Sequence, residues 1–229
     1  MVDDDLFSCA EEYDALLKRG ISLSGENKDY FIAGRVSHLR SHLPAGWEPR
    51  AIVDFGCGTG ETSTVLAAAF PNARVVGVDT AENAIRLARS RHASERVSFL
   101  PVAALRENDA FDLCYINGVF HHIKPGDRRA AIALIRRCLG PASFMALFEN
   151  NPWNPGARLV MARIPFDRDA VPLSKIEAAR LMREGGFVLC STHFLFYFPH
   201  ALRFLRFLER PLSRLPLGAQ YCIVGRKSV

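Results

Sequence analysis

The run Val53-Asp54-Phe55-Gly56-Cys57-Gly58-Thr59-Gly60 puts an apolar strand directly before three glycines on alternate positions. Such a sequence can only turn sharply at the end of the strand, because glycine tolerates the backbone angles of so tight a bend. About 20 residues on, Val75-Val76-Gly77-Val78-Asp79 reads as a second strand ending in a carboxylate. A ligand can approach the glycines without meeting a Cβ, and an acid at the neighbouring strand tip can accept hydrogen bonds from ribose hydroxyls. The pair therefore implies a nucleoside-containing ligand. The spacing excludes a dinucleotide fingerprint: the third glycine comes one residue early, and Glu61 stands where the last fingerprint glycine belongs. Asp54 precedes the turn, where a carboxylate repels a pyrophosphate and suits a cationic ligand.

Beyond the turn, helical and strand-like segments alternate as a parallel sheet requires. The pattern predicts strands at 51–55, 74–78, 97–101, 111–116 and 143–149, with helices at 61–69, 81–92 and 127–138. Thr80 is placed to cap the helix after Asp79. Pro71-Asn72 and Gly140-Pro141 punctuate the helix-to-strand connections. Residues 6–44 read as helical around a breaker at Ser22-Leu23-Ser24-Gly25-Glu26. After Glu149 the segment Asn150-Asn151-Pro152-Trp153-Asn154-Pro155-Gly156 reads as irregular, followed by a short apolar helix within 158–170. A helix at 174–184, a strand at 187–197, an amphipathic basic helix at 199–209 and a last strand at 220–226 complete the expectation.

On these residues the chain resembles the class I S-adenosylmethionine-dependent methyltransferases, whose first motif is hydrophobic-Asp/Glu-x-Gly-x-Gly-x-Gly. Phe111-Asp112-Leu113-Cys114-Tyr115-Ile116-Asn117-Gly118-Val119-Phe120-His121-His122-Ile123 resembles the family's fourth strand and the turn after it. Leu181-Met182-Arg183-Glu184-Gly185-Gly186-Phe187 resembles its late helix with a glycine cap. The resemblance covers residues 50–149 closely and 173–229 in outline. It implies a single α/β domain: a Rossmann-like seven-stranded sheet, mostly parallel with the last strand antiparallel, and helices on both faces. Residues 1–49 are then a helical lid offering Tyr13, Tyr30 and Arg35, 50–149 the cofactor-binding core, 150–172 a substrate-side lid insertion after the fifth strand, and 173–229 the closing helix and hairpin.

The same resemblance implies S-adenosyl-L-methionine as cofactor. Gly56, Cys57, Gly58 and Gly60 would pass close to it, Asp54 would organise its ammonium and Asp79, beside Thr80, its ribose diol. Many relatives bind the adenine amino group with an Asp after the third strand. This chain has none there, which leaves the backbone near Val102 and Ala103. Asn117 and Gly118 would line the methyl side. Methyl transfer needs alignment, exclusion of water and, for a protonated nucleophile, a base. His121, His122 and Glu149 are the candidate catalytic groups. The two histidines, being neighbours in sequence, are expected to point apart; their separation from Glu149 matches no common ligand spacing, so no metal is expected.

Composition narrows the setting. The chain has 229 residues, of which 49% are hydrophobic and 23% charged, ordinary for one globular domain. No apolar run is long enough to span a bilayer, and the start Val2-Asp3-Asp4-Asp5 is opposite in charge to a secretory leader, so a cytoplasmic protein is expected. Six cysteines without C-x-x-C spacing read as core fillers. The net charge of +5 is uneven: Arg203, Arg206, Arg210, Arg214, Arg226 and Lys227 face only Glu209 beyond Pro199. That end reads either as a solvated helix or, over 199–214, as an interfacial helix meeting an anionic membrane. The aromatic stretch Phe194-Leu195-Phe196-Tyr197-Phe198 favours a small hydrophobic or amphiphilic acceptor, methylated on oxygen or nitrogen. Asn117 is followed by Gly118-Val119-Phe120 and not by the Asn-Pro-Pro-aromatic tetrapeptide of enzymes that methylate nucleic-acid amines, which argues against nucleic acid. A regulatory subunit of the same fold, binding cofactor without turnover, is the alternative.

Overall fold

The computed structural model describes residues 20–107, 109–164 and 170–228. Tyr13 and the helix expected from residue 6 lie outside these residues. A 3₁₀ turn at Ser22–Ser24 closes on Gly25, whose φ of 70° is the left-handed conformation a breaker needs. Asn27 then caps α1 (Lys28–His42), its side chain accepting from Tyr30 N. The order continues β1 (Ala51–Phe55), α2 (Glu61–Ala69), β2 (Arg74–Asp79), α3 (Glu82–His92), β3 (Val97–Pro101), β4 (Phe111–Asn117), α4 (Arg128–Cys138) and β5 (Leu139–Asn150). It ends with α5 (Pro155–Arg163), α6 (Lys175–Glu184), β6 (Phe187–Leu195), a 3₁₀ helix (His200–Leu208), α7 (Glu209–Leu212) and β7 (Gln220–Lys227).

The seven strands form one sheet in the order β3-β2-β1-β4-β5-β7-β6. Six run parallel, and β7 is antiparallel to both neighbours. Side chains alternate between two cores, as a strand period of two demands. Val53, Ile116, Met145, Leu147, Tyr221 and Ile223 pack with α4 and α6 on one face. Ile52, Tyr115, Phe144, Phe148, Cys222 and Val224 pack with α1, α2 and α3 on the other. The strand order reverses between β1 and β4, and a crevice at the carboxyl ends of such a pair is where open α/β sheets bind ligands.

Four local expectations are corrected. Thr80 does not cap α3: Ala81 holds the cap position without a side-chain bond, and Asp79 Oδ1 accepts from Ala81 N at 3.0 Å. Gly140 and Pro141 lie inside β5, where the register with β4 shifts and Ala142 takes a φ of 57°, so turn-forming residues serve a bulge. Helix α5 starts at Pro155 within the segment expected to be irregular, because Asn154 accepts from Ala157 N at 2.8 Å and proline fits a first helical position. The basic segment after Pro199 is a 3₁₀ helix broken at Leu202 and not an α-helix. Glu209 Oε1 holds its far end back against Tyr197 N and Phe198 N at 3.2 Å each.

Cys57, Cys114, Cys138 and Cys222 are buried and unbridged, as core fillers would be, whereas Cys190 is exposed. None of the described helices is long and apolar enough to cross a membrane.

Candidate active site

A cavity of about 530 Å³ opens at the β1/β4 switch point. Its floor is Gly56, Cys57 and Gly58 after β1, with Asn117 at the end of β4 and Gly118 just beyond it. A Cβ at Gly56 would run into Val119, so the two turns interlock there; a Cβ at Gly58 would meet nothing within 4 Å, which leaves its backbone open to a ligand. Gly60 packs on the Phe99 ring and is not part of the cavity wall.

Asp79 braces the floor. Its Oδ2 accepts from Gly58 N at 2.8 Å while Oδ1 takes Ala81 N, and each oxygen keeps lone-pair capacity for a hydroxyl. Asp79, Thr80, Val102 and Ala103 sit beside one another at the ends of β2 and β3, beyond this cavity's wall.

Asp54 lies beneath the turn, 2% exposed, with Ser63 Oγ donating to it at 2.7 Å. Burial pushes its carboxyl up to about 7, against the pull of the Ser63 bond and of the Arg35 charge. The folded chain thus keeps a proton at acid pH that the unfolded chain releases near 3.8. The sign follows: this carboxyl favours the fold in acid, and that contribution is lost as pH rises through about 7. Asp54→Asn should remove the loss, so the melting temperature of the variant minus that of the wild type should grow from about pH 5 to about pH 8. A difference that stays flat across this range would sink the assignment.

His121 and His122 occupy a turn after β4, and both line the cavity with ring centroids 4.1 Å apart. This corrects the expectation that they point apart, which holds for a strand or helix but not for this turn. Glu149, at 1% exposure, accepts from His121 Nδ1 at 2.6 Å and from Phe120 N at 2.7 Å. Its carboxylate therefore orients the histidine turn, and it does not reach the Asn-rich loop after β5. With Nδ1–H committed to Glu149, Nε2 is the basic nitrogen of His121.

The rest of the wall comes from both ends of the chain. Lys28, Tyr30, Phe31 and Arg35 face it from α1, Val160 and Ile164 from α5 and just beyond it, and Phe196 and Tyr197 from after β6. The two cations are engaged: Arg35 donates to Tyr115 Oη at 3.2 Å and to Gln220 Oε1 at 3.1 Å, and Lys28 pairs with Glu61 at 3.1 Å. Glu26 joins the ends over the cavity, meeting Arg206 at 2.6 Å and His200 at 3.0 Å, while the Arg206 guanidinium lies 4.4 Å over the Tyr30 ring.

Sequence reasoning passed over Arg128. It is 1% exposed and donates to the carbonyls of Phe120, Ile123 and Val171 at 3.0, 3.1 and 2.6 Å, and to Glu177 at 2.9 Å. Val171 N in turn donates to His121 O at 2.9 Å. An arginine at a helix start reads as solvated; only the fold brings its four partners together.

Residues 52–142 match the family model described as a methyltransferase domain. A trans-aconitate 2-methyltransferase of Variovorax paradoxus is 31% identical over 144 residues, 61% of this chain and 55% of that one. Over residues 52–142, about two fifths of its length, this chain is similar to the methyltransferases. Among solved methyltransferases, a SAM-dependent enzyme from Archaeoglobus fulgidus superposes with a TM-score of 0.67 at 15% identity, over 88% of this chain and 95% of that one. Human N-acetylserotonin methyltransferase in complex with SAM gives 0.68 at 13% identity, over all of this chain and 59% of that one. These two similarities concern the fold. The chain spans about half the length of the relatives it matches in sequence, at 55%, 44% and 47% for the first three.

The floor also presents one unmatched polar group to a ligand. Asn117 Oδ1 is buried without a hydrogen-bond partner among the described residues, at a position on the cavity wall. Such an acceptor calls for a donor from a ligand, and an ammonium or hydroxyl supplies one.

Proposed function

We propose that this chain transfers the methyl group of S-adenosylmethionine to the oxygen or nitrogen of a small hydrophobic or amphiphilic acceptor. When bound, the cofactor supplies a methyl group activated on a sulfonium. Gly58 and Asn117 hold it at the floor, and Asp79 takes the ribose at the tip of β2. His121, oriented by Glu149, takes the proton from the acceptor's hydroxyl or ammonium. Tyr30, Phe31, Val160, Ile164 and Phe196 form an apolar wall that holds the acceptor and excludes water.

The observation that carries this reading is the buried His121–Glu149 pair at the wall of an aromatic-lined cavity beside the glycine turn. A cavity of about 530 Å³ also lies within the range of small-molecule sites, which favours turnover over a scaffold whose substrate side is blocked.

The acceptor's amphiphilic character has a second support. Phe204 and Phe207 are 67% and 74% exposed, next to Arg203 and Arg206, so the face around 199–214 suits the anionic surface of a membrane from which such an acceptor is drawn. A small carboxylate acceptor is the second reading, favoured by the name of the Variovorax relative. Against it, Arg35 and Lys28 already have partners.

The test is a methylation assay with labelled cofactor across phenols, amines, amphiphilic hydroxy compounds and small di- and tricarboxylates, run beside a thermal-shift titration. Stabilisation by S-adenosylmethionine should reach about 3 kcal/mol at a hundredfold excess over Kd, with none from NAD. Turnover of trans-aconitate alone would replace this acceptor class by the second reading. Equal stabilisation by NAD would remove the function itself. Sedimentation with anionic and neutral vesicles across a salt series tests the surface, which should bind only the anionic ones.

A further inference from the structure

On the α1 side of the sheet, away from the cavity wall, three histidines meet. His38 and His42 are spaced i, i+4 on α1 and so share one face of the helix. His193 reaches them from β6. The ring centroids are 4.0 Å apart for His38–His42, 4.2 Å for His42–His193 and 5.3 Å for His38–His193. One ring nitrogen from each lies within 4.8 Å of the other two, and no carboxylate belongs to the group.

We infer that His38, His42 and His193 bind one divalent transition-metal ion of the zinc type, fastening α1 to β6. Stacking alone leaves a defect that a metal would repair. His38 Nε2 is buried with no hydrogen-bond partner among the described residues, an arrangement that folded proteins rarely leave unmet. His42 is already oriented as a ligand: its Nδ1 lies 2.8 Å from the backbone oxygen of His38, to which only an N–H can donate, so Nε2 carries the lone pair. A backbone carbonyl holding the second nitrogen of a metal-binding histidine is the usual way its tautomer is fixed.

The Arg214 charge acts on His193 and weakens any cation held there, which lowers the affinity without removing the donors. Imidazole nitrogens suit zinc, nickel, copper and cobalt, and three of them leave a fourth position for water. Zinc–nitrogen bonds of about 2.0–2.1 Å place tetrahedral ligand atoms roughly 3.4 Å apart, so the rings need close by at most about 1.4 Å from separations within 4.8 Å.

The site would bear on the cavity through α1. His38 lies one turn beyond Arg35, and the same helix carries Tyr30 and Phe31 to the wall. A clip between α1 and β6 fixes the helix that forms this side of the pocket.

The experiment uses tag-free, chelator-stripped protein titrated with zinc by calorimetry and by melting temperature, with cobalt as a spectroscopic substitute. One equivalent of zinc should bind, the melting temperature should rise, and cobalt should develop the visible bands of a low-coordinate nitrogen site. His193→Gln and His38→Gln should each weaken zinc binding about tenfold or more. His121→Asn should leave it unchanged. No uptake and no stabilisation of the wild type overturns the site, a result that holds even if His38→Gln fails to fold. Zinc binding that survives His193→Gln and disappears in His121→Asn overturns it too, because the metal then sits on the cavity histidines.

Discussion

His121→Asn is expected to lower kcat for methyl transfer by about 10²–10⁴-fold while leaving the Kd for S-adenosylmethionine within a factor of about three. The asparagine amide keeps a donor for the Glu149 carboxylate, which is 1% exposed and would otherwise keep only the Phe120 N bond. What the variant loses is the basic Nε2. The size of the effect also identifies the acceptor's chemistry. A phenol or an ammonium must give up a proton for its nucleophile to form, whereas a carboxylate is already ionised at neutral pH. Single-turnover rates across a pH series separate the cases. A drop of less than threefold with an acceptor that must be deprotonated would remove His121 from the chemistry. Glu149→Gln should produce a loss of similar order, since a glutamine whose oxygen accepts from Phe120 N turns its amide NH2 toward His121 Nδ1 and leaves the proton on Nε2.

The second large effect is on stability. Arg128→Met should destabilise the chain by about 3–5 kcal/mol, because it strands the carbonyls of Phe120, Ile123 and Val171 in a buried place. For a chain of this size that corresponds to a fall in Tm on the order of 10 °C. Arg128→Lys should recover little, since one ammonium cannot span partners contributed by two turns and α6. Glu177→Gln should cost under about 1 kcal/mol, because the Glu177 side chain is 35% exposed and water screens its charge. Chemical denaturation of the three variants ranks them. Equal losses for Arg128→Met and Glu177→Gln would mean that the ion pair, and not the carbonyl network, holds the turn.

Much of the sheet was legible because the early strands are apolar runs, and β1, β3 and β4 end at a glycine or proline. The strand expected at 51–55 spans Ala51–Phe55, and the one at 97–101 spans Val97–Pro101. The bounds failed where one residue type serves two purposes. Gly140-Pro141 reads as a break, yet a bulge uses the same residues inside β5. Asn154-Pro155 reads as loop, yet it is also a helix cap followed by a first helical proline. At the site, local chemistry was visible and partnership was not. His121 and His122 are noticeable in any reading, but their common orientation depends on a turn that Arg128 anchors from α4 and Val171 from beyond α5. The His38–His42 spacing is in the sequence; the arrival of His193 depends on β6 lying alongside β7 at the edge of the sheet.

The position of β7 sets the order in which this sheet can be finished. It is synthesised after the other six strands of this sheet and yet it lies between β5 and β6, so β6 joins the sheet only through it. A ribosome adds about 5–20 residues per second, so the roughly 70 residues from Asn150 to Gln220 take on the order of 4–14 s to follow β5 out. Throughout that interval β5 offers an open backbone edge flanked by Met145, Leu147 and Phe148, which are buried once β7 has paired. A nascent chain stalled short of residue 220 is therefore a client for chaperones, and its solubility during translation depends on how soon the final strand is inserted.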